Sequence, residues 1–150
     1  MFGLENDIIT PESSLIQWNG ENYPFEAWNK DQTLQSAMTS SVNWYFQSID
    51  EQLGAGSIQN HLQKIGYGNE NLNGDFSSYW MESSLKISPI EQVELLTKLY
   101  NNDLGFAPKN IKAVKDSIHI ASSDTGDFYG KNRNRSSEGT GCKRLVHRFC

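Results

Sequence analysis

Thr39-Ser40-Ser41-Val42-Asn43-Trp44-Tyr45-Phe46 is a small polar turn that runs straight into an apolar-periodic segment. Val42, Tyr45, Phe46, Ile49 and Leu53 recur at i, i+3, i+4, i+7 and i+11, one face of a 3.6-residue period, so a helix is expected here. The Ser41 hydroxyl and the Asn43 amide then stand at a rigid helix entrance, where they can aim at a cleft while the apolar side anchors them. The plainer reading is a serine N-cap in front of a core helix. What decides between the two is the company this turn keeps along the chain.

Before it, Met1-Phe2-Gly3-Leu4 reads as the last turn of a helix. Leu15 to Trp18, Asn19-Gly20 and Glu21 to Tyr23 read as a short hairpin, since Asn-Gly tolerates the positive φ of a tight turn. A short helix is expected over Asp31 to Met38. After it, Gly54 and Gly56 break the chain, and Ser57 can cap a helix with Ile58, Leu62 and Ile65 inward, stopped by Gly66. Tyr67-Gly68-Asn69 lies just beyond that stop. Ser88-Pro89-Ile90-Glu91 is the clearest helix start in the chain: serine at the N-cap, proline at the first helical position and glutamate at the third. Its buried face is expected to be Ile90, Val93, Leu96 and Tyr100 or Leu99. Pro108 opens a further helix with Ile111, Val114 and Ile118 inward. Asp124-Thr125-Gly126 reads as a turn, and Asp127 to Lys131 as the beginning of a strand with no partner in view.

The chain has 150 residues, enough for one domain with a core. It carries no run of eighteen apolar residues and no charged-then-apolar leader, so neither a membrane span nor a signal peptide is expected. The formal charge of −5 gives no reason to expect nucleic-acid binding. That average hides a break. Up to Lys131 there are 8 lysines against 17 acidic residues, a balance of −9, whereas beyond it 5 lysines and arginines face Glu138 alone, a balance of +4. All four arginines (Arg133, Arg135, Arg144, Arg148) and both cysteines (Cys142, Cys150) lie in that last stretch.

Metal chemistry has little support, because His61, His119 and His147 are far apart and none has ligand spacing with a carboxylate or cysteine. No cofactor is expected. Glu91 and Glu94, like Asp50 and Glu51, read as helix-terminus and solvent-face charges rather than paired acid and base. The informative set is ordered: Ser41-Val42-Asn43, then Tyr67-Gly68-Asn69, then Tyr79-Trp80, then Gly130-Lys131. Active-site-serine enzymes that act on β-lactams use a Ser-x-x-Lys helix start, a Ser-x-Asn-like turn and a Lys-Thr-Gly strand. An acylating serine needs a base, a second hydroxyl or amide to relay the proton to the leaving nitrogen, and a cation for the ligand's carboxylate. Ser41 fits the relay, Asn43 an amide contact to the ligand, and Lys131 the cation.

With Tyr23-Pro24-Phe25-Glu26-Ala27-Trp28-Asn29-Lys30-Asp31-Gln32 and Tyr79 to Ser88 added, the stretch from Met1 to Lys131 resembles the extracellular sensor domain of the BlaR/MecR family of β-lactam sensor-transducers. That domain is in turn similar to class D (OXA-type) β-lactamases. The resemblance implies an α+β parent fold of the serine β-lactamase and transpeptidase kind, in which helices cover a central antiparallel sheet and the cleft lies between. The present chain would be mainly α with little sheet. By resemblance, Ser41 and Asn43 line the drug pocket, Tyr67 and its loop shape the wall, and Trp80 matches a tryptophan that packs by the catalytic lysine; core packing is nearly as good a role for it. The implied partner is a β-lactam antibiotic, and the implied place is the outer face of a bacterial membrane, tethered to membrane helices. The alternative within the resemblance is a piece of a class D β-lactamase. Asn43 favours the sensor, since the hydrolases more often have valine there.

Two departures bear on activity. The family's nucleophilic Ser-x-x-Lys lies upstream of the residues matched by Met1 to Leu4, and the single Ser-x-x-Lys of this sequence, Ser83 to Lys86, falls in a stretch matched elsewhere. The attacking serine is therefore expected to be absent and the chain inert to acylation. After Gly130-Lys131 the family has Thr-Gly-Thr-Gly, where this chain has Asn132-Arg133-Asn134-Arg135. A strand glycine lets a ligand approach the backbone, which an arginine obstructs. Codons AAA-AAC-AGG-AAC-AGG would restore Lys-Thr-Gly-Thr-Gly on loss of one A, and Arg144 to Cys150 read one base along can give Gly-Trp-Phe-Ile-Gly-Phe-Val. Residues 1–131 are thus expected to be a partial penicillin-binding domain and 132–150 an out-of-frame tail. Apolar faces meant for the sheet would then meet water. Several hundred Å² at roughly 25 cal/mol per Å² amounts to on the order of 10 kcal/mol, so a loose chain is expected.

Overall fold

The computed structural model describes residues 1–81 and 84–131, together with the backbone of His147 and Arg148. Its elements are α1 (Phe2–Glu5), α2 (Leu34–Ser40), α3 (Asn43–Leu53), α4 (Ala55–Ile65), α5 (Pro89–Asn101), α6 (Pro108–Ile118), β1 (His119–Ser123), β2 (Gly126–Tyr129) and β3 (His147–Arg148). A single 3-10 turn covers Glu26–Trp28. The fold is mainly helical with little sheet, as expected.

The expected face of α3 is the inward one. Val42, Tyr45 and Ile49 are buried, with Trp44 beside them, and Phe46 and Leu53 pack at the edge. Leu4, Ile9, Leu34 and Ala37 complete this first core, and the Tyr45 hydroxyl donates to the Ser14 carbonyl at 2.7 Å. Burial pushes the Tyr45 hydroxyl up to about 12, so it stays a donor. A second core gathers Ile58 and Leu62 of α4 with Tyr79, flanked by Phe2, Tyr67, Phe76, Trp80 and Leu85. Leu53, at the end of α3, touches both.

Several boundaries differ from expectation. The hairpin at residues 15–23 does not form: Ile16 bridges instead to Gln32, with N–H to carbonyl distances of 2.8 and 3.0 Å. Side chains take the backbone groups that a hairpin ladder would have used, Asp31 accepting from Trp18 N–H at 2.9 Å and Asn19 from Glu21 N–H at 3.0 Å. Helix α2 begins at Leu34 rather than Asp31, because Thr33 and Ser36 form a reciprocal capping box there. Helix α4 starts after Gly54, so Ser57 lies inside it instead of capping it.

The capping box of α5 is as expected, Ser88 Oγ accepting from Glu91 N–H at 3.3 Å and Glu91 Oε2 from Ser88 N–H at 2.8 Å. Its expected buried face is not buried. No residue of α5 is, and Ile90 and Val93 are exposed because no described element covers them; Tyr100, 39% exposed, meets the Tyr129 ring at 6.3 Å and Lys115 Nζ at 3.8 Å. The strand at Asp127 to Lys131 also differs: it begins at Gly126 and has a partner. β1 and β2 pair antiparallel through Ser123–Gly126, Ser122–Asp127 and Ala121–Phe128, with a bulge before His119–Tyr129. The backbone of β3 lies on the other side of β2, giving the order β1-β2-β3. Apart from that pair, the expected out-of-frame tail lies outside the described residues, as does Ser83.

Candidate functional site

The Ser-Val-Asn turn is built differently from a capped helix start. Ser41 closes α2 in the left-handed region, with φ +54° and ψ +47°, and its N–H returns to the Ala37 carbonyl. The N-cap of α3 is Val42, which has no side-chain oxygen to offer. The Ser41 hydroxyl is therefore not used on the helix. A serine with positive φ is uncommon and costs on the order of 1 kcal/mol, so surrounding contacts must hold it. Two tryptophans do so: Trp28 Nε1 donates to the Ser40 carbonyl at 3.0 Å, and Trp44 Nε1 to the Trp28 carbonyl at 2.9 Å.

Across 90 positions of sequence, Lys131 Nζ donates to Ser41 Oγ. The hairpin brings the lysine there, since Gly130 N–H is anchored on the Ile118 carbonyl at the end of α6, at 2.8 Å. Partial desolvation pulls the Lys131 ammonium below the ordinary lysine value. A hydroxyl held by an amine of lowered basicity forms a pair that can present a cation or pass a proton.

Asn43 lies one helical step beyond Val42. Its Nδ2 reaches Met81 Sδ at 3.4 Å, and Gln47 Nε2, one turn on, donates to the Ser77 carbonyl at 2.8 Å. The segment 77–81 thus lies along the entrance of α3. Met81, 41% exposed, is a neighbour that the sequence motifs did not single out.

Tyr67 and Trp80 belong to the second core rather than to the Ser41–Lys131 pair. Tyr67 is partly buried, and burial raises its hydroxyl above the usual tyrosine range. Trp80 sits edge-on against Tyr79, with ring centroids 4.9 Å apart. The Tyr-Gly-Asn loop does its work through Gly68 and Asn69. A Cβ on Gly68 would stand 2.0 Å from the Lys86 carbonyl oxygen, and its φ is +52°, so glycine alone fits. Asn69 Oδ1 accepts from Lys86 N–H, and its Nδ2 donates to the Ser84 carbonyl, both at 2.9 Å. The loop is a clamp on the 84–86 segment.

Beneath the 77–81 segment, Tyr79 donates its hydroxyl to Asp50 Oδ2 at 3.0 Å. Burial raises Asp50 to about 6, against the opposing pull of the Tyr79 hydrogen bond and the Met1 amine. Burial, with Asp50 beside it, also raises Tyr79. A cavity of about 670 Å³ opens elsewhere, between the 10–15 loop, α2 and α6, and its lining includes none of Ser41, Asn43, Tyr67, Trp80 or Lys131. Among the described residues no group of three or more His, Cys, Asp and Glu side chains could hold a metal ion. Nor is any described helix long and apolar enough to cross a membrane.

Residues 1–140 match the family described as the penicillin binding protein transpeptidase domain. The chain is 46% identical over 134 residues to the regulatory protein BlaR1 of Bacillus licheniformis, a match covering 87% of the chain and 22% of that protein. It is 35% identical over 118 residues to the β-lactamase OXA-10 of Pseudomonas aeruginosa, covering 79% of the chain and 44% of the enzyme. Among solved structures it is similar to the C-terminal domain of the Bacillus licheniformis BlaR penicillin-receptor, with a TM-score of 0.83 and 45% identity over 86% of this chain and 52% of that one. The chain thus spans about a fifth of the BlaR1 protein and about half of the solved receptor domain.

Proposed function

This chain belongs to the penicillin binding protein transpeptidase domain family and has the penicillin-binding and β-lactamase-like fold, and we propose that it recognises β-lactams in the manner of a sensor-transducer domain without being acylated by them. The observation that carries this reading is the Lys131–Ser41 hydrogen bond. Lys131 presents a cation to the carboxylate that β-lactams carry, Ser41 a hydroxyl beside it, and Asn43 an amide at the helix entrance. Tyr67 and Trp80 act from behind, by fixing the wall from which Met81 reaches Asn43. The greater identity to BlaR1 than to OXA-10, 46% against 35%, favours a sensor over a hydrolase. In the same reading the domain stands on the outer face of a bacterial membrane, in a protein whose other parts hold the membrane helices.

Inertness to acylation follows from chemistry. A lactam carbonyl needs an attacking oxygen with a base beside it; Lys131, engaged as the cation for the drug's carboxylate, is not that base for Ser41, and the only Ser-x-x-Lys of this sequence is Ser83 to Lys86, in a stretch matched to another part of the family. Lys131 and Ser41 then hold a drug reversibly. Incubation with a fluorescent penicillin tests both halves. Saturable binding under native conditions, displaced by unlabelled penicillin and lost in Lys131→Met, is expected, with no labelled band after denaturing electrophoresis. A covalent band would overturn the inertness; absence of native binding would overturn the recognition.

A further inference from the structure

Three polar side chains on one face of α3 grip the 77–81 segment. Asn43, Gln47 and Asp50 stand at i, i+4 and i+7, so they share a side of the helix. Gln47 Nε2 donates to the Ser77 carbonyl at 2.8 Å, Asp50 Oδ2 accepts from the Tyr79 hydroxyl at 3.0 Å, and Asn43 Nδ2 reaches Met81 Sδ at 3.4 Å. The first two join strong oxygen and nitrogen partners and hold the segment in register. The third, two residues from Ser41, ends on a thioether, which is a weak acceptor. A ligand carbonyl can therefore take the Asn43 amide from Met81 at little cost while the other two contacts keep the segment in place.

Met81 is also the methionine most open to solvent. It is 41% exposed, whereas Met1 and Met38, the other two of the chain, are partly buried. A hydroperoxide reaches such a sulfur and oxidises it. A sulfur lone pair attacks one peroxide oxygen, the O–O bond breaks and an S–O bond forms. The proton of the transferred oxygen passes to the leaving one, which departs as water. The sulfur loses two electrons and the peroxide gains them. The sulfoxide oxygen is polar where the thioether was not, and the flexible, unbranched side chain can turn it toward Asn43 Nδ2. We propose that Met81 is a sulfoxidation site whose oxidised form ties up the Asn43 amide and closes it to a β-lactam, so that a hydroperoxide lowers the domain's affinity for the drug. The effect on the drug rests on the function proposed above; the reaction at Met81 and its hold on Asn43 do not.

The test treats the full chain with dilute hydrogen peroxide. Mass spectrometry of the digest should find an added oxygen on Met81 before Met38 or Met1. In the intact oxidised chain, the Asn43 side-chain amide signal in the nitrogen–proton NMR spectrum should move to higher proton frequency. Methionine sulfoxide reductase should return it, which separates the effect from oxidation of Cys142 or Cys150. Affinity for a fluorescent penicillin should fall about fivefold or more on oxidation, the worth of one hydrogen bond. Met81→Gln, with a carbonyl oxygen in place of the sulfoxide's, should lower it similarly without peroxide. Met81→Leu, which keeps both cysteines, should lose the response to peroxide. Oxygen added first at another methionine, an unmoved Asn43 signal once Met81 is oxidised, or a peroxide response retained in Met81→Leu would each overturn the proposal. A chain that binds no penicillin in either state would remove the drug effect together with the function proposed above, while the Asn43 signal still decides the hold on the amide.

Discussion

Helices α3 and α5 both carry apolar residues at helical spacing, yet α3 buries its face in the first core while α5 buries no residue and leaves Ile90 and Val93 exposed. The start signals even run the other way: α5 has a full capping box, whereas α3 begins with no side-chain cap at all. Local signals therefore set where a helix begins and which stripe is apolar. They do not say what covers the stripe, and most of a helix's stability in a protein comes from that cover. Here the partners of α3 are α1, α2, α4 and the loops around them, and no described element plays that part for α5.

The contrast would break first at Tyr45. Tyr45→Ala removes a fully buried ring and a 2.7 Å hydrogen bond, and should cost about 3–5 kcal/mol, whereas Ile90→Lys on α5 should stay within about 0.5 kcal/mol. Urea unfolding followed by circular dichroism reads both; similar costs for the two would mean that α5 is covered after all.

A smaller effect comes from Asp50, on α3. Its folded-state value of about 6 lies above the ordinary 3.8, so between those values the folded chain binds more protons than the unfolded one. Stability from this group is therefore present in acid and lost as pH rises from about 4 to about 6. Asp50→Asn should remove that part of the pH dependence and stabilise the chain near neutrality by on the order of 2 kcal/mol. An unchanged difference between pH 4.5 and 7 in the variant would show that Asp50 is ionised without penalty.

The smallest test is at the start of α5. Ser88→Ala should cost about 1 kcal/mol, and because α5 has little tertiary cover the loss should appear as faster amide exchange confined to that helix. A change spread over α3 would mean that the two helices fold as one unit.

How much could be read from residues alone follows the same division. The inward face of α3, the Gly66 stop and the Ser88–Glu91 box were legible because each is set within about a turn of chain. Strand β1 was not, since His119-Ile120-Ala121-Ser122-Ser123 is exposed throughout and has no apolar–polar alternation to read. The Asn19-Gly20 pair makes no hairpin because Asp31, distant in sequence, takes the Trp18 amide. At the site, Ser41, Asn43 and Lys131 came from an ordered set of motifs. What no local pattern carried was that Ser41 would end one helix rather than start the next, leaving its hydroxyl for Lys131. Met81 escaped notice for a similar reason: a lone methionine gives no pattern, and only the path of the 77–81 segment sets it against Asn43.

The relay of indole groups around the Ser41 turn has an optical consequence. Trp28 holds the end of α2 and Trp44 holds Trp28, with the Tyr23 ring 5.7 Å from one and 6.4 Å from the other. Anything that shifts Ser41 must loosen a tryptophan from its carbonyl and admit water to the ring. The chain's own ultraviolet emission would move to longer wavelength as it happened, giving the turn a built-in gauge that needs no attached dye.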